Sequence, residues 1–207
     1  MYLSINGEYE TQKIIEKSRF ITTSKHICGE KEAKDFIADI KRRFPDATHN
    51  CYAYLADNLG NFPRFSDDGE PSGTAGMPIL DVIKNKKLFE TAVVVTRYFG
   101  GIKLGAGGLV RAYSGAASEN LETAEKVIYE ICSQSEYSVD YSAVDAVIRY
   151  CAENRASVID TKYGDGVDFI IAIKKTEEEN FNNGLTNKLN GKIAIKKCSE
   201  YFFPFKI

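Results

Sequence analysis

The chain has 207 residues, 43% hydrophobic and 27% charged, the composition of a soluble globular protein rather than a disordered one. Its 27 Lys and Arg stand against 29 Asp and Glu, a formal net charge of −2, which excludes a general polycation; any phosphate binding must come from a local patch. Residues 1–130 carry 17 basic and 18 acidic side chains and residues 131–207 carry 10 and 11, so neither half is a basic arm. At this length one or two domains are expected. The purest apolar run, Phe169 to Ile173, is far too short to span a membrane. The opening MYLSINGEYE has neither the basic nor the apolar region of a secretory signal. The five cysteines (Cys28, Cys51, Cys132, Cys151, Cys198) are scattered, with no C-x-x-C pair, and read as reduced thiols of a cytoplasmic protein.

In chain order, Tyr9 to Ile15 and Arg19 to Ile27 read as two short strands around a polar turn. Ala33, Phe36, Ile37, Ile40 and Phe44 recur at helical spacing over Lys31 to Phe44, and Pro45 stops that helix. His49 to Asp57 alternates as a strand, and Asn58 to Asn61 turns into a partner around Phe62 to Ser66. A polar, glycine-rich stretch, Asp67 to Gly76, precedes a short helix over Ala75 to Lys84, which tolerates Pro78 only in its first turn. Thr91 to Tyr98 is a β-branched, buried strand. A long helix is expected from about Ala106, its apolar face running from Leu109 through Leu121 to Ala124, Val127 and Ile128.

The character changes at Cys132 to Glu136, read as a linker or the start of a strand. Beyond it come a strand (Glu136 to Tyr141) and a helix with Val144, Val147, Ile148 and Cys151. Two strands (Ser157 to Tyr163, Val167 to Lys174) follow around a Gly164-Asp165-Gly166 turn. A helix with Phe181, Leu185 and Leu189 and a last strand, Lys192 to Phe202, complete the series. This β-α-β-β-α-β order is the ferredoxin-like pattern. The expected fold is therefore α+β with two domains, residues 1–132 and 133–207.

Two segments carry the densest chemistry. In Thr91 to Ser114 a buried strand runs into Gly100 and Gly101, then Lys103, then Gly105, Gly107 and Gly108 at the start of a helix. Glycines there let backbone N–H groups approach an anion, with Arg97, Lys103 and Arg111 as counter-charge. The sequence has no G-x-x-x-x-G-K-[ST], and the third glycine of G-x-G-x-x-G falls on Val110, so neither nucleotide fingerprint is met. The blander reading is a tight turn with close helix packing. The second segment, Arg64 to Pro78, places Asp67, Asp68 and Glu70 within four residues, a candidate site for Mg²⁺ or Ca²⁺ completed by water. Its blander reading is an Asp-Gly turn leading into a helix capped by Ser72 or Thr74. His49 and Cys51 share one face of a strand, a conceivable dyad without an identifiable third group. Lys41 to Arg43 and Lys84 to Lys87 read as cations at helix C-termini. The second domain shows no RNP-type aromatic signature for RNA.

The strings ATHNCYAY (Ala47 to Tyr54), SDDGEPSGTAGMPIL (Ser66 to Leu80) and VVVTRYFGGIKLGAGGLVRAYS (Val93 to Ser114) closely resemble the YigZ/IMPACT family. The likeness covers about the first 120 residues, with Ser18 to Thr22 agreeing too, and the tail is similar to the second domain of bacterial members. The resemblance implies a first domain of the α/β fold shared by a small-subunit ribosomal protein, domain IV of elongation factor G and the GHMP kinases. It implies a second domain like the ferredoxin-like domain V of elongation factor G. Eukaryotic IMPACT proteins regulate translation by competing for an activator of a stress-response kinase, using an N-terminal partner-binding domain that this sequence does not show. For bacterial members the implied role is nucleic-acid or ribosome binding. LGAGGLVRAYSGAA sits where the GHMP kinases place a phosphate loop, but their serine-rich turn is absent, which argues against ATP use.

The expectation is thus a cytoplasmic regulator of translation or stress response that contacts RNA or the ribosome. The contact surface would comprise Arg64, Ser72, Thr74, Arg97, Tyr98, Gly100, Gly101, Lys103, Gly105, Gly107 and Arg111, with Tyr98 or Phe99 stacking on a base. Asp67, Asp68 and Glu70 would orient the cations or hold Mg²⁺. Two alternatives stand beside it. One is an enzyme acting on a phosphorylated or peptide-like small molecule in the same cleft. The other makes the loops purely structural, with a protein partner bound elsewhere.

Overall fold

The structure is a computed structural model and describes residues 1–206. Residues 2–128 form one compact unit and residues 129–205 a second.

The first unit contains β1 (Tyr2–Ile5), β2 (Glu8–Ile15), β3 (Ser18–His26), α1 (Glu30–Arg43), β4 (His49–Leu55), β5 (Pro63–Ser66), α2 (Gly76–Asn85), β6 (Thr91–Tyr98) and α3 (Gly105–Thr123). Five of its strands build an antiparallel sheet in the order β2-β3-β6-β4-β5. Alternation sorts the sheet's side chains onto two faces. Phe20, Cys51, Ala53, Val93 and Val95 point to one, where Ile79 and Ile83 of α2 and Leu109, Tyr113 and Leu121 of α3 close the main core. Tyr54, Ala92 and Val94 point to the other and pack against Phe36, Ile37 and Ile40 of α1. The centre strand β6 is covered on both faces, which is why it reads as an unbroken β-branched run. β1 is too short to announce itself by alternation. A parallel bridge from Leu3 to Leu88 and the Phe89 N–H bonded to the Leu3 carbonyl hold it.

The second unit is built from β7 (Lys126–Val139), α4 (Val144–Glu153), β8 (Ser157–Tyr163), β9 (Val167–Lys174), α5 (Glu178–Lys188) and β10 (Ala194–Lys206). Its strands follow one another as β10-β7-β9-β8, the ferredoxin-like arrangement. Val147 and Cys151 of α4 and Phe181 and Leu185 of α5 pack on Tyr137, Val139, Phe169, Ile171 and Ile173.

Beyond shifts of one or two residues at several element ends, three boundaries differ more from the sequence expectation. Helix α3 ends at Thr123, so Val127 and Ile128 lie on β7 rather than on the helix. The end is fixed by side chains: the Thr123 hydroxyl donates to the Asn120 carbonyl at 2.8 Å, Lys126 Nζ donates to the Glu122 carbonyl at 2.9 Å, and Ala124 turns extended. Cys132 to Glu136 is no linker but the middle of β7, where Ser133 and Ser135 are buried on the sheet and Ser133 Oγ donates to Glu178. The last strand begins at Ala194 and runs on to Lys206.

Asn120 registers α3 on the sheet. From full burial its amide nitrogen reaches the Tyr9 carbonyl (3.2 Å), the Thr11 hydroxyl (3.2 Å) and the Thr22 carbonyl (3.0 Å), tying the helix to β2 and β3. Asn120→Ala removes the donor of all three, leaves the buried Thr22 carbonyl without it, and should cost about 1–3 kcal/mol in urea unfolding. A variant as stable as the wild type would show that apolar packing alone seats the helix.

Candidate functional site

The two segments singled out in the sequence meet at Glu70. Its carboxylate is buried, with the side chain only 4% exposed, and Oε1 accepts hydrogen bonds from Arg97 Nη1 and from the Tyr113 hydroxyl, each at 2.7 Å. Arg97, equally buried near the end of β6, donates its second terminal nitrogen to Ser18 Oγ at 3.2 Å and lies 5.4 Å from the ring centres of both Phe20 and Phe99. Ser18 Oγ also accepts the Gly100 N–H at 3.2 Å. His49 stands opposite Arg97 on β4, its Nε2 3.8 Å from Glu70 Oε2 and its Nδ1 2.9 Å from the Asp68 carbonyl. A loop, two strands and a helix are thereby fixed around one carboxylate.

The neighbouring acids are engaged as completely. Asp67 accepts the backbone N–H groups of Gly73 (2.9 Å), Ala75 (3.0 Å) and Gly76 (2.8 Å), so it caps α2 from across the loop. This corrects the expectation that Ser72 or Thr74 caps the helix. Thr74 is buried and its hydroxyl bonds the Pro71 carbonyl at 2.7 Å, while Ser72 is exposed. Asp68 takes Lys41 Nζ on one oxygen and the Asn50 N–H on the other, both at 2.7 Å. Burial pushes the Asp67 carboxyl up, but its backbone donors outweigh this and hold it below the ordinary value. Burial likewise opposes ionisation of Asp68, and Lys41, Asn50 and His49 overcome it. The three carboxylates thus face three different sets of donors. Among the described residues no cluster of three or more His, Cys, Asp or Glu is arranged to hold a metal ion.

Cys51 and Tyr113 belong to the same interior. The Cys51 thiol donates to the Asp67 carbonyl at 2.9 Å, and burial pushes it up to about 12, far from the thiolate a nucleophile needs. Burial also raises the Tyr113 hydroxyl, with Cys51 and Glu70 adding to the shift. Sequence reasoning placed Tyr113 only on an apolar helix face. A phenol among alanines and leucines was the available sign that a buried acceptor lies opposite it. Lys41, Asn50 and Ser18 gave no sign of their partners, because all three contacts join distant parts of the chain.

The outward-facing residues form a separate group. Gly101, Lys103, Gly105, Gly107 and Arg111 are exposed, as is Phe99, while Tyr98 is half-buried under the Arg19 guanidinium, 4.3 Å above its ring. Arg64 is exposed on β5, its guanidinium donating to the neighbouring Pro63 carbonyl. Gly100 answers a different need. A Cβ there would come 2.0 Å from the Lys17 carbonyl carbon in the β2–β3 turn, so only glycine lets the two turns touch. Beside them Lys103, Arg111, Leu104, Gly108 and the turn residue Glu16 line a cavity of about 380 Å³. The charge that the sequence offered from Arg97 is spent internally, and Lys103 and Arg111 remain available.

Two measurements test this division. Arg97→Leu leaves Glu70 buried without its cation and should destabilise the first unit by about 3–5 kcal/mol in denaturant unfolding. Folded-state values depressed at Asp67 and Asp68 mean that their contribution is complete above about pH 4, the unfolded value, and is lost as the pH falls through the lower folded values. Asp67→Asn should therefore be less stable by about 1–2 kcal/mol at neutral pH and lose less stability than the wild type below about pH 4. Parallel pH profiles for the two proteins would contradict the capping role.

Comparison with known proteins agrees with this architecture. A family model of the Impact N-terminal domain matches residues 16–121, and one of a domain of unknown function, DUF1949, matches residues 138–192. The chain is 39% identical over 196 residues to the IMPACT family member YvyE of Bacillus subtilis, covering 95% of this chain and 90% of that protein. It is 34% identical over 192 residues to the IMPACT family member YigZ of Escherichia coli, covering 90% and 92%. A crystal structure described only as that of a hypothetical protein superposes with a TM-score of 0.59 at 29% identity, covering 96% of this chain and 97% of the other. No helix among the described residues is long and apolar enough to cross a membrane. With both domains matched in order, and relatives aligned over nearly their whole length, the chain belongs to the IMPACT family.

Proposed function

We propose that this protein is a cytoplasmic binding protein that contacts RNA or the ribosome through the glycine-rich start of α3 and thereby modulates translation or a stress response. The observation that carries the reading is the cavity at that helix start. Lys103 and Arg111 line it, and neither has an ion-pair partner among the described residues. The first turn of α3 contains no acidic residue, and no side chain caps its N–H groups. Two uncompensated cations beside unpaired backbone donors are the chemistry of a phosphate contact. Glu16 is the one acid in the lining. Exposed Phe99 and the edge of Tyr98 offer stacking for a base next to that phosphate. In this reading Arg97 and Glu70 position the loop and do not touch the ligand, and Arg64, on β5 at the opposite edge of the sheet from β2, and Ser72 are not among the residues that line the cavity.

The alternative, an enzyme acting on a phosphorylated or peptide-like small molecule, needs a carboxylate or thiol poised near neutrality. Asp67 and Asp68 are held down by their donors and Cys51 is held up by burial, so none of these three groups is poised near neutrality. The test is sedimentation with purified ribosomes and with free ribosomal RNA through sucrose gradients at low and moderate salt. Co-migration that fades with salt is expected, and Lys103→Glu with Arg111→Glu should abolish it and leave the thermal melt unchanged. Protein that stays at the top of both gradients, or a charge-reversed variant that still co-migrates, would overturn the proposal.

A further inference from the structure

A second cavity, of about 260 Å³, lies in the first unit beneath the loop between β4 and β5. Its floor is Leu55 and Leu88, both members of the main core, and Phe89 and Gly60 form its wall. Gly60 has a left-handed φ of +75°, and a Cβ on it would lie 3.3 Å from the Phe89 ring, so the loop rests directly on that aromatic. The loop is a built turn, because Asp57 accepts the N–H groups of Asn61 and Phe62. Yet its tip presents Leu59 and Phe62 to solvent, 74% and 58% exposed. Leu59 thus stands exposed at a pocket whose floor is core leucine, with Phe62 three residues on in the same loop.

The charge at the rim says what sort of partner fits. Three lysines cluster at the end of α2, where cations would ordinarily serve only the helix dipole. Lys86 is committed to Glu122 at 3.1 Å. Lys84 and Lys87 line the cavity, and neither has an ion-pair partner among the described residues. Asp57 accepts the loop N–H groups and Glu122 is paired with Lys86, while exposed Asp81 precedes Lys84 by three residues on α2. The volume lies under the range usual for small-molecule sites and suits one large side chain. The exposed leucine and phenylalanine beside it extend the apolar contact past that one anchor.

We infer that this cavity docks a protein partner through an acidic–apolar segment: a leucine or phenylalanine enters between Leu55, Leu88 and Phe89, and flanking carboxylates meet Lys84 and Lys87. The surface is separate from the glycine-rich start of α3 and uses a different ligand chemistry, so the two proposals stand or fall apart. The probe is a fluorescein-labelled Asp-Glu-Leu-Phe-Glu-Asp peptide, titrated by fluorescence anisotropy against the full chain. Amide NMR shifts of Gly60 and Phe89 locate the site. Binding in the micromolar range is expected. Lys84→Glu with Lys87→Glu should weaken it about tenfold, and so should Leu59→Ser. All three positions are exposed, so thermal melts that match the wild type will show that the variants fold. The inference is overturned if the peptide does not bind, if the variants bind it equally well, or if the shifts fall elsewhere. It is also overturned if a peptide with Lys in place of Asp and Glu binds as tightly, or if decanoate moves the Gly60 amide and the peptide does not.

Discussion

A single carboxylate, that of Glu70, sits where a loop, a strand and a helix converge, and the local architecture follows from the cost of burying it. An isolated carboxylate in an apolar interior would be neutralised or expelled. Here the Arg97 guanidinium and the Tyr113 hydroxyl hold one oxygen at 2.7 Å each, and His49 stands beside the other. Such a pair contributes little net stability compared with apolar residues of the same size, but removing one partner is severe. Its consequence is geometric. β6 must end where Arg97 can reach inward, α3 must turn Tyr113 toward the loop, and the loop must fold back far enough to bring Glu70 to both.

That requirement divides the glycines into two kinds. Gly100 and Gly76 are dictated by close backbone approach: a Cβ would meet the β2–β3 turn at the first and the backbone of Ser66, at 2.7 Å, at the second. Gly101, Gly105 and Gly107 touch little and face outward. A glycine-rich string therefore serves two ends at once, a tightly packed interior and an accessible run of backbone. Of the two readings weighed from the sequence, tight packing is met at Gly100 and Gly76, while the exposed glycines are the ones on which the proposed anion contact rests.

The same split explains how far the sequence could be read. Strands β6, β8 and β9 coincide with their expected bounds because β-branched runs and a Gly-Asp-Gly turn are local signals. The end of α3 was hidden because Ala124, Val127 and Ile128 continue its apolar period with no glycine or proline to break it. What ends the helix is capping by Thr123 and Lys126, which periodicity does not record. Ser133 and Ser135 look like linker residues but are small enough to be buried in a strand. At the candidate site, the sequence singled out two segments that the fold brings together at Glu70, and it did not give the directions of their side chains. Arg97 and Lys103 are equivalent as letters, yet strand alternation and a distant glutamate turn one inward and leave the other in solvent.

That inward turn also bears on how the surface can act. A guanidinium directed at solvent would have made Arg97 the strongest anion contact in the loop, with a bidentate fork for phosphate. Locked to Glu70 it contributes almost no net charge outside, so the charge left at the start of α3 is that of Lys103 and Arg111, with Glu16 in the same lining and Lys17 and Arg19 next to Gly100 and Tyr98. On a protein with a formal net charge of −2, a patch of that strength cannot gather polyanions by itself. Under the proposed reading, recognition would depend on the shape of the glycine backbone and on the exposed ring of Phe99 beside Tyr98. A partner that presents one well-placed phosphate next to an unstacked base satisfies those demands better than a uniform duplex does.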